Sequence, residues 1–302
     1  MYKIRLFLIP ILLFLSCSSP TKLQDTPNES DEIIVKNGNT LLWKIEKEGQ
    51  ETSYLYGTIH MINEEFYHFS THLKEHVIES DAIIMEVGGM PNPITTYQLM
   101  LLDSGTVHRY FTPDQLLMVL EFMDTQLGVT PQEFDQTYAS MKPFLLMQTI
   151  TQDYFEPTAK SYDLEVMALA AEHNIPLIGL ETIEEQLGLF DKIPAEKIAN
   201  MIIESIENHD EEKEETLKLM EFYAAQKVDK LLPLLQKQSP EFMEFEDLFL
   251  YNRNRAWIPK LNEEMKSKSC FIAVGAGHLF GENGIINLLE LEGYRVTGIS
   301  TQ

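Results

Sequence analysis

The sequence predicts an α/β protein in which a mostly parallel or mixed central sheet is covered by helices and carries large helical insertions. Six short segments have the apolar, aromatic and β-branched composition of strands. Four of them are continuous apolar runs, which are typical of strands buried between layers of helices. Helical patterns separate most of these segments, as in an α/β fold. The predicted strands are residues 41–45, 54–56, 81–87, 176–180, 270–274 and 294–299.

The elements follow one another in an order that supports this fold. Residues 48–50 (Glu-Gly-Gln) predict a hairpin between the first two strands. Thr112 and Thr130 are each followed by proline and, three residues on, by Gln or Glu, which predicts the start of a helix. Residues 161–174 have apolar side chains at helical spacing and lead into the fourth strand. Residues 194–268 are helical in pattern almost throughout, so we interpret their apolar side chains as core.

The amino-terminal end has the pattern of an export signal. Two basic residues precede the apolar run 6–15, which is too short for a membrane span of about 20 residues. The run ends in Leu-Ser-Cys at Cys17, which resembles a bacterial lipobox and predicts that Cys17 carries lipid. We therefore expect an exported protein held by this anchor on the periplasmic side of a membrane or on the cell surface. The predicted parts are a signal peptide (1–16), a tether (17–40) and one α/β domain (41–302).

Charge and cysteine content narrow the range of partners. The net charge of −24 would repel nucleic-acid phosphates, so we expect no nucleic-acid partner. If Cys17 carries lipid, Cys270 has no partner and no internal disulfide forms. The apolar core must then stabilise the exported domain. The oligomeric state does not follow from these data.

Four predicted strands are each followed by an ionisable side chain. These are His60, Glu86, Glu181 and His278. Each alone has an ordinary structural interpretation, as a hydrogen-bonded histidine or a solvent-facing glutamate. The carboxyl ends of parallel strands share one edge, however, and open α/β sheets place their sites there. We therefore predict that the four side chains converge in one functional site.

Both histidines end a Gly-x-x-His turn. One turn runs from Gly57 to His60 and the other from Gly275 to His278, with a further glycine at Gly277. Glycine permits sharp turns and close approach of the backbone to a ligand. We expect the three glycines to shape the site in this way.

These motifs resemble the signature of the TraB/PrgY/GumN family, which includes the TIKI proteases. The matching segments are residues 56–60 (Tyr-Gly-Thr-Ile-His), 85–87 (Met-Glu-Val) and 274–279 (Val-Gly-Ala-Gly-His-Leu). Residues 179–187 and the pair Arg253-Asn254 resemble further family motifs, and the similarity covers residues 41 to 300. The wider group is similar in fold to erythromycin esterases and haem-binding ChaN-like proteins. Family members often have glycine before the aspartate that opens the middle helix, whereas Ser161-Tyr162 precede Asp163 here.

The resemblance implies a metal-dependent hydrolase that cleaves a peptide, or another amide or ester, outside the cytoplasm. TIKI-like proteins use Mn²⁺ or Co²⁺, and imidazole and carboxylate ligands also suit Zn²⁺. The implied metal ligands are His60, His278, Glu86 and Glu181. Glu86 is alternatively the general base, while Arg253 either stabilises an oxyanion or forms a structural ion pair.

Two other functions remain open for the same residues. In a metal-free esterase, His60 would be the general base and Glu86 would orient it. In a binding or inhibitory lipoprotein, the histidines would contact a peptide or haem without catalysis. Outside this set, His72 and His76 have the spacing of metal ligands on a predicted helix, but no further ligand accompanies them.

Overall fold

A computed structural model of the chain describes residues 39–89, 92–238 and 244–301. Within these ranges six strands form one sheet and twelve α-helices surround it, which confirms the predicted fold class. The predicted signal peptide and the lipidation site Cys17 lie outside the described residues. All six predicted strands are present, with ends shifted by at most two residues. They are β1 (Leu42–Glu46), β2 (Ser53–Thr58), β3 (Ala82–Val87), β4 (Leu177–Glu181), β5 (Cys270–Gly275) and β6 (Arg295–Ile299).

The sheet is mixed, with the strand order β4-β3-β5-β2-β1-β6. The four strands β4, β3, β5 and β2 are parallel to one another, and β1 alone runs antiparallel, to β2 on one side and β6 on the other. The predicted hairpin joins β1 to β2 through Gly49, whose φ of 79° lies in the left-handed region that glycine tolerates. Because β6 runs in the same direction as β2, five strands bring their carboxyl ends to one edge of the sheet.

Two helices begin at the capping residues that the sequence predicts. Thr112 and Thr130 both complete a capping box in which threonine and the residue three positions later exchange hydrogen bonds. Ser161 caps the helix that precedes β4. The helices are α1 (Thr71–Ile78), α2 (Pro93–Met100), α3 (Pro113–Thr125), α4 (Pro131–Thr137), α5 (Pro143–Thr151), α6 (Tyr162–His173), α7 (Ile183–Gly188), α8 (Ala195–Glu207), α9 (His209–Ala224), α10 (Val228–Gln238), α11 (Asn252–Met265) and α12 (Ile285–Leu291).

Successive strand residues pack on opposite faces of the sheet and form two cores. Ile83 and Phe271 belong to the core with α1, α6 and α9, whereas their neighbours Ile84 and Ile272 belong to the core with α11 and α12. A third core lies within the helical insertions, between α3, α4, α5 and α8. No helix of the described residues is both long and apolar enough to span a membrane.

Candidate functional site

The register of the parallel strands places the predicted site residues side by side. Val87 of β3 pairs with Glu181 of β4, and Thr58 of β2 pairs with Gly275 of β5. A one-turn 3-10 helix, Ala276–His278, follows β5 directly. The carboxyl ends of these parallel strands therefore lie together at one edge of the sheet, as expected.

Arg253, on the first turn of α11, lies at the centre of this cluster. Its Nη2 donates to Glu86 Oε2 at 2.5 Å and to Glu181 Oε1 at 2.6 Å, and its Nε donates to Glu181 Oε2 at 3.1 Å. Its Nη1 donates to the Phe249 carbonyl at 2.8 Å and faces His278 Nε2 at 3.1 Å. These five hydrogen bonds use all five N–H groups of a guanidinium. Of the two roles considered for Arg253, this arrangement favours the ion pair, because no donor remains for an oxyanion.

Glu86 is held as a carboxylate. Besides Arg253, it accepts hydrogen bonds from the Gly275 backbone N–H at 2.8 Å and from Gln186 Nε2 at 3.0 Å. Burial alone would raise its pKa, but the facing positive groups and the Gly275 N–H outweigh burial and lower the pKa to about 2. A carboxylate with so low a pKa and with both oxygens occupied is a weak proton acceptor.

Glu181 shares the guanidinium with Glu86 but differs in its pKa. Burial raises the pKa of Glu181, and the two bonds from Arg253 only partly oppose this. The pKa of Arg253 is raised in spite of burial, since both carboxylates stabilise its charge. All three side chains are only 10–11% exposed. The cluster therefore contains two carboxylates that depend on one cation.

His278 is buried and neutral. Its Nδ1 lies 2.7 Å from Asn254 Oδ1, which can only accept, so Nδ1 carries the proton and Nε2 accepts from Arg253. The orientation of the Asn254 amide is fixed because its Nδ2 donates to the carbonyls of His278 and Asn283. Burial, together with the charge of Arg253, lowers the pKa of His278 to about 4.

Trp257, one helical turn beyond Arg253, packs against two side chains of the cluster. Its ring lies 4.6 Å from the His278 ring and 4.7 Å from the Arg253 guanidinium carbon. Sequence reasoning assigned no role in the site to Trp257, to Asn254 or to Gln186. The i, i+4 spacing of Arg253 and Trp257 is the signal that would have placed both on one face of a helix.

His60 occupies a different environment at the same edge. Its Nδ1 lies 3.0 Å from Asp163 Oδ2, while Thr58 donates to the other Asp163 oxygen at 2.8 Å. Its side chain is 77% exposed. The hydrogen bond and charge of Asp163 raise the pKa of His60 to about 9, against a smaller opposing effect of desolvation. Asp163 therefore orients His60, which corrects the metal-free variant in which Glu86 has that role.

Two of the three glycines in the Gly-x-x-His turns permit close packing within the site. None of Gly57, Gly275 and Gly277 has a positive φ, so none of them is needed for a left-handed backbone conformation. A Cβ on Gly57 would lie 3.1 Å from Ala276 Cα, so this glycine lets the two Gly-x-x-His turns touch. A Cβ on Gly275 would lie 3.3 Å from Glu86 Oε1, whereas Gly277 has only one side-chain atom nearby.

The side-chain arrangement does not fit the metal centre that the resemblance implies. Glu86, Glu181 and His278 all direct acceptor atoms at Arg253. The guanidinium thus occupies the position where a shared cation would lie. Across the described part of the chain, no group of three or more His, Cys, Asp or Glu side chains is placed to hold a metal ion.

The fold and the cluster define an α/β protein with a charged His-Glu-Arg site at the carboxyl edge of its parallel strands. The chain belongs to the TraB/PrgY/gumN family, whose match covers residues 41–298. It is similar to the uncharacterised protein YbaP of Shigella flexneri and to the protein of the same name from Escherichia coli (strain K12). Each is 24% identical over 260 residues, which cover 84% of this chain and 94% of the relative. No solved structure matches the chain.

Proposed function

We propose that the protein is a hydrolase that cleaves an amide or ester bond outside the cytoplasm, with His60 as the group that transfers protons. One observation carries the proposal: His60 is bonded through Nδ1 to Asp163 while its ring remains 77% exposed. The other ionisable groups of the site are buried and bonded to one another. His60 is therefore the side chain of this set that a substrate reaches most directly.

The chemistry follows from this pairing. Neutral His60 takes a proton from a water molecule at Nε2 as that water attacks the substrate carbonyl carbon. The resulting imidazolium, stabilised by Asp163, then gives the proton to the leaving amine or alcohol as the carbon–heteroatom bond breaks. Because the pKa of His60 is raised to about 9, the base form is scarce at neutral pH. The rate should therefore rise with pH until about 9.

The buried cluster supports His60 without transferring protons in this scheme. Glu86, Glu181 and Arg253 are hydrogen-bonded to one another, so their positions beside His60 are set before substrate arrives. The export pattern of residues 1–16 and the lipobox-like Cys17 support action at a membrane surface outside the cytoplasm. A peptide, or another amide or ester, is the proposed substrate.

A metal-dependent version of the same hydrolase is the second candidate. It is favoured by the presence of two imidazoles and two carboxylates, of the types that hold Mn²⁺, Co²⁺ or Zn²⁺, at one sheet edge. His60, Glu86, Glu181 and His278 would hold such an ion only if Arg253 first left the carboxylates. The two candidates therefore differ in what must happen to Arg253.

The test uses the soluble chain from Ser18 onward and a library of fluorogenic peptides and esters. Hydrolysis is measured from pH 6 to pH 10, with and without a chelator, for the unmodified chain, His60→Ala and His68→Ala. His68 is a matched control because it is also an exposed histidine. Activity that survives the chelator and is lost only in His60→Ala supports the first candidate.

Mass spectrometry of bound metal separates the remaining outcomes. Stoichiometric metal that is lost in both His60→Ala and His278→Ala, with activity lost on chelation, would support the metal-dependent candidate. A chain that cleaves no substrate but shows a Soret band with haem, or binds peptides intact, would instead be a binding protein.

A further inference from the structure

A second pair of histidines lies outside the candidate site, on α1. The Nε2 atoms of His72 and His76 are 3.2 Å apart, and the ring centroids are 4.4 Å apart in an edge-to-face arrangement. The two residues are four positions apart and so lie on one face of the helix. The Nε2 atoms of the two rings are therefore close enough to be reached by one ion.

This separation matches the spacing of two imidazole ligands on one metal ion. Bonds of about 2.0–2.1 Å from nitrogen to a transition metal, at an angle of roughly 100°, place the two nitrogens about 3.2 Å apart. In the metal-free state a single proton can be shared between the same two atoms. A metal ion would take the place of that proton without a change in the backbone.

The surroundings hold the pair in position. The ring of Tyr54 on β2 stacks on His76 at a centroid distance of 3.9 Å and an interplanar angle of 29°. His76 is only 7% exposed, and Ser80 Oγ donates to its carbonyl at 2.8 Å. His72 is half-buried, so one side of the pair faces solvent. Preorganised ligands beside an open side are what a partly hydrated ion requires.

We propose that His72 and His76 form a binding site for a divalent transition-metal ion, with water completing its coordination. Two neutral imidazoles suit Cu²⁺, Ni²⁺ and Zn²⁺ and not Mg²⁺ or Ca²⁺, which select oxygen ligands. The Irving–Williams order predicts the tightest binding for Cu²⁺ and the weakest for Mn²⁺. The site is separate from the candidate hydrolase site and does not depend on the proposed function.

The experiment is a calorimetric titration of the soluble chain from Ser18 with Cu²⁺, repeated with Zn²⁺ and Mn²⁺. The variants are His72→Ala and His76→Phe, the second of which keeps an aromatic ring against Tyr54. The controls are His68→Ala, which removes an exposed imidazole nearby, and His60→Ala in the candidate site. Circular dichroism checks that each variant is folded.

The expected result is one Cu²⁺ site whose affinity falls by at least about tenfold in both variants of the pair, since even losing an outer-shell partner has effects of that size. The same site should be unchanged in both controls, and electron paramagnetic resonance should show two nitrogen ligands. Absence of Cu²⁺ binding, or an affinity that His72→Ala leaves unchanged, would overturn the proposal. So would binding that is lost in His60→Ala instead.

Discussion

Replacing Arg253 with methionine should destabilise the protein strongly, because it removes the guanidinium that pairs with two buried carboxylates. Methionine keeps an unbranched side chain of similar length next to Trp257 but donates no hydrogen bond. Glu86 and Glu181 would each lose their charged partner, and His278 Nε2 would lose its donor. The variant therefore leaves like charges facing one another inside the protein.

The size of the effect follows from burial. Removing one partner of a buried ion pair typically costs about 3–5 kcal/mol, because the remaining charge stays desolvated. Arg253, Glu86 and Glu181 are all 10–11% exposed, so this range applies to them. Arg255, two positions away, is a matched control. Its side chain is 45% exposed and pairs with Asp247 at 3.5 Å, so Arg255→Met should cost less than about 1 kcal/mol.

The loss of stability in Arg253→Met should also depend on pH, and the direction of that dependence can be predicted. In the Arg253→Met variant, burial and mutual repulsion raise the pKa of at least one of Glu86 and Glu181 above its value in the unfolded chain. The folded variant then binds more protons than the unfolded chain, so its stability falls as pH rises. In the unmodified protein Glu86 has a pKa of about 2 and stays charged over this range. The difference in the free energy of unfolding between the unmodified protein and Arg253→Met should thus be smaller at pH 5 than at pH 7.

Urea unfolding followed by circular dichroism measures both effects. Free energies of unfolding are obtained at pH 7 and pH 5 for the unmodified chain, Arg253→Met and Arg255→Met. Adding Glu181→Gln to Arg253→Met should recover part of the loss, because it removes one of the unpaired charges. A loss below about 1 kcal/mol for Arg253→Met, equal to that of the Arg255 control, would refute the reasoning. If the difference in the free energy of unfolding between the unmodified chain and Arg253→Met does not change with pH, the carboxylates of Glu86 and Glu181 are not coupled through Arg253.

Three further predictions follow from individual contacts. Gly57→Ala should cost about 1–3 kcal/mol in urea unfolding, since the added methyl would meet backbone 3.1 Å away, whereas Gly277→Ala should be nearly neutral. Asp163→Asn should lower the pKa of His60 from about 9 toward 6.5 in an NMR titration; the stability that this pair contributes should be largest below pH 6.5 and disappear above pH 9. Burial raises the pKa of Cys270 to about 11, so a thiol reagent at pH 8 should modify it only after unfolding.

Much of the fold could be predicted from short-range patterns. The strands were recognisable as apolar runs, and Thr112 and Thr130 begin helices because their side chains satisfy backbone N–H groups a few residues away. The placement of His60, Glu86, Glu181 and His278 at one edge was predicted from the expectation of parallel strands, a rule of topology that needs no side-chain detail. The features of the fold that could be predicted therefore depend either on neighbouring residues in the sequence or on the direction of the strands.

What could not be predicted depends on contacts between distant segments. His60 and Asp163 are 103 positions apart, and their hydrogen bond exists because α6 packs beside β2. The use of all five Arg253 donors likewise depends on how α11 docks on the sheet. The contact between Gly88 and Gly179 is another feature that local sequence patterns do not predict. A Cβ on Gly88 would lie 2.1 Å from the Gly179 backbone nitrogen, a close approach that no local pattern signals.

The two Gly-x-x-His turns show how one motif can produce two chemical states. In each, the backbone leaves a parallel strand and presents a histidine whose Nδ1 is bonded to a side-chain oxygen. For His278 that oxygen belongs to the neutral amide of Asn254, and burial beside Arg253 lowers the pKa to about 4. For His60 it belongs to the carboxylate of Asp163, and the pKa rises to about 9.

At neutral pH one ring is therefore neutral and fixed, and the other is charged and open to solvent. Environments that separate two pKa values in this way are a common means of dividing proton transfer from positioning. In the mechanism that we propose, His60 transfers protons and His278 has a positioning role. The choice between Asn and Asp as the Nδ1 partner, together with burial, distinguishes the two histidines, and neither is encoded in the four residues of the motif.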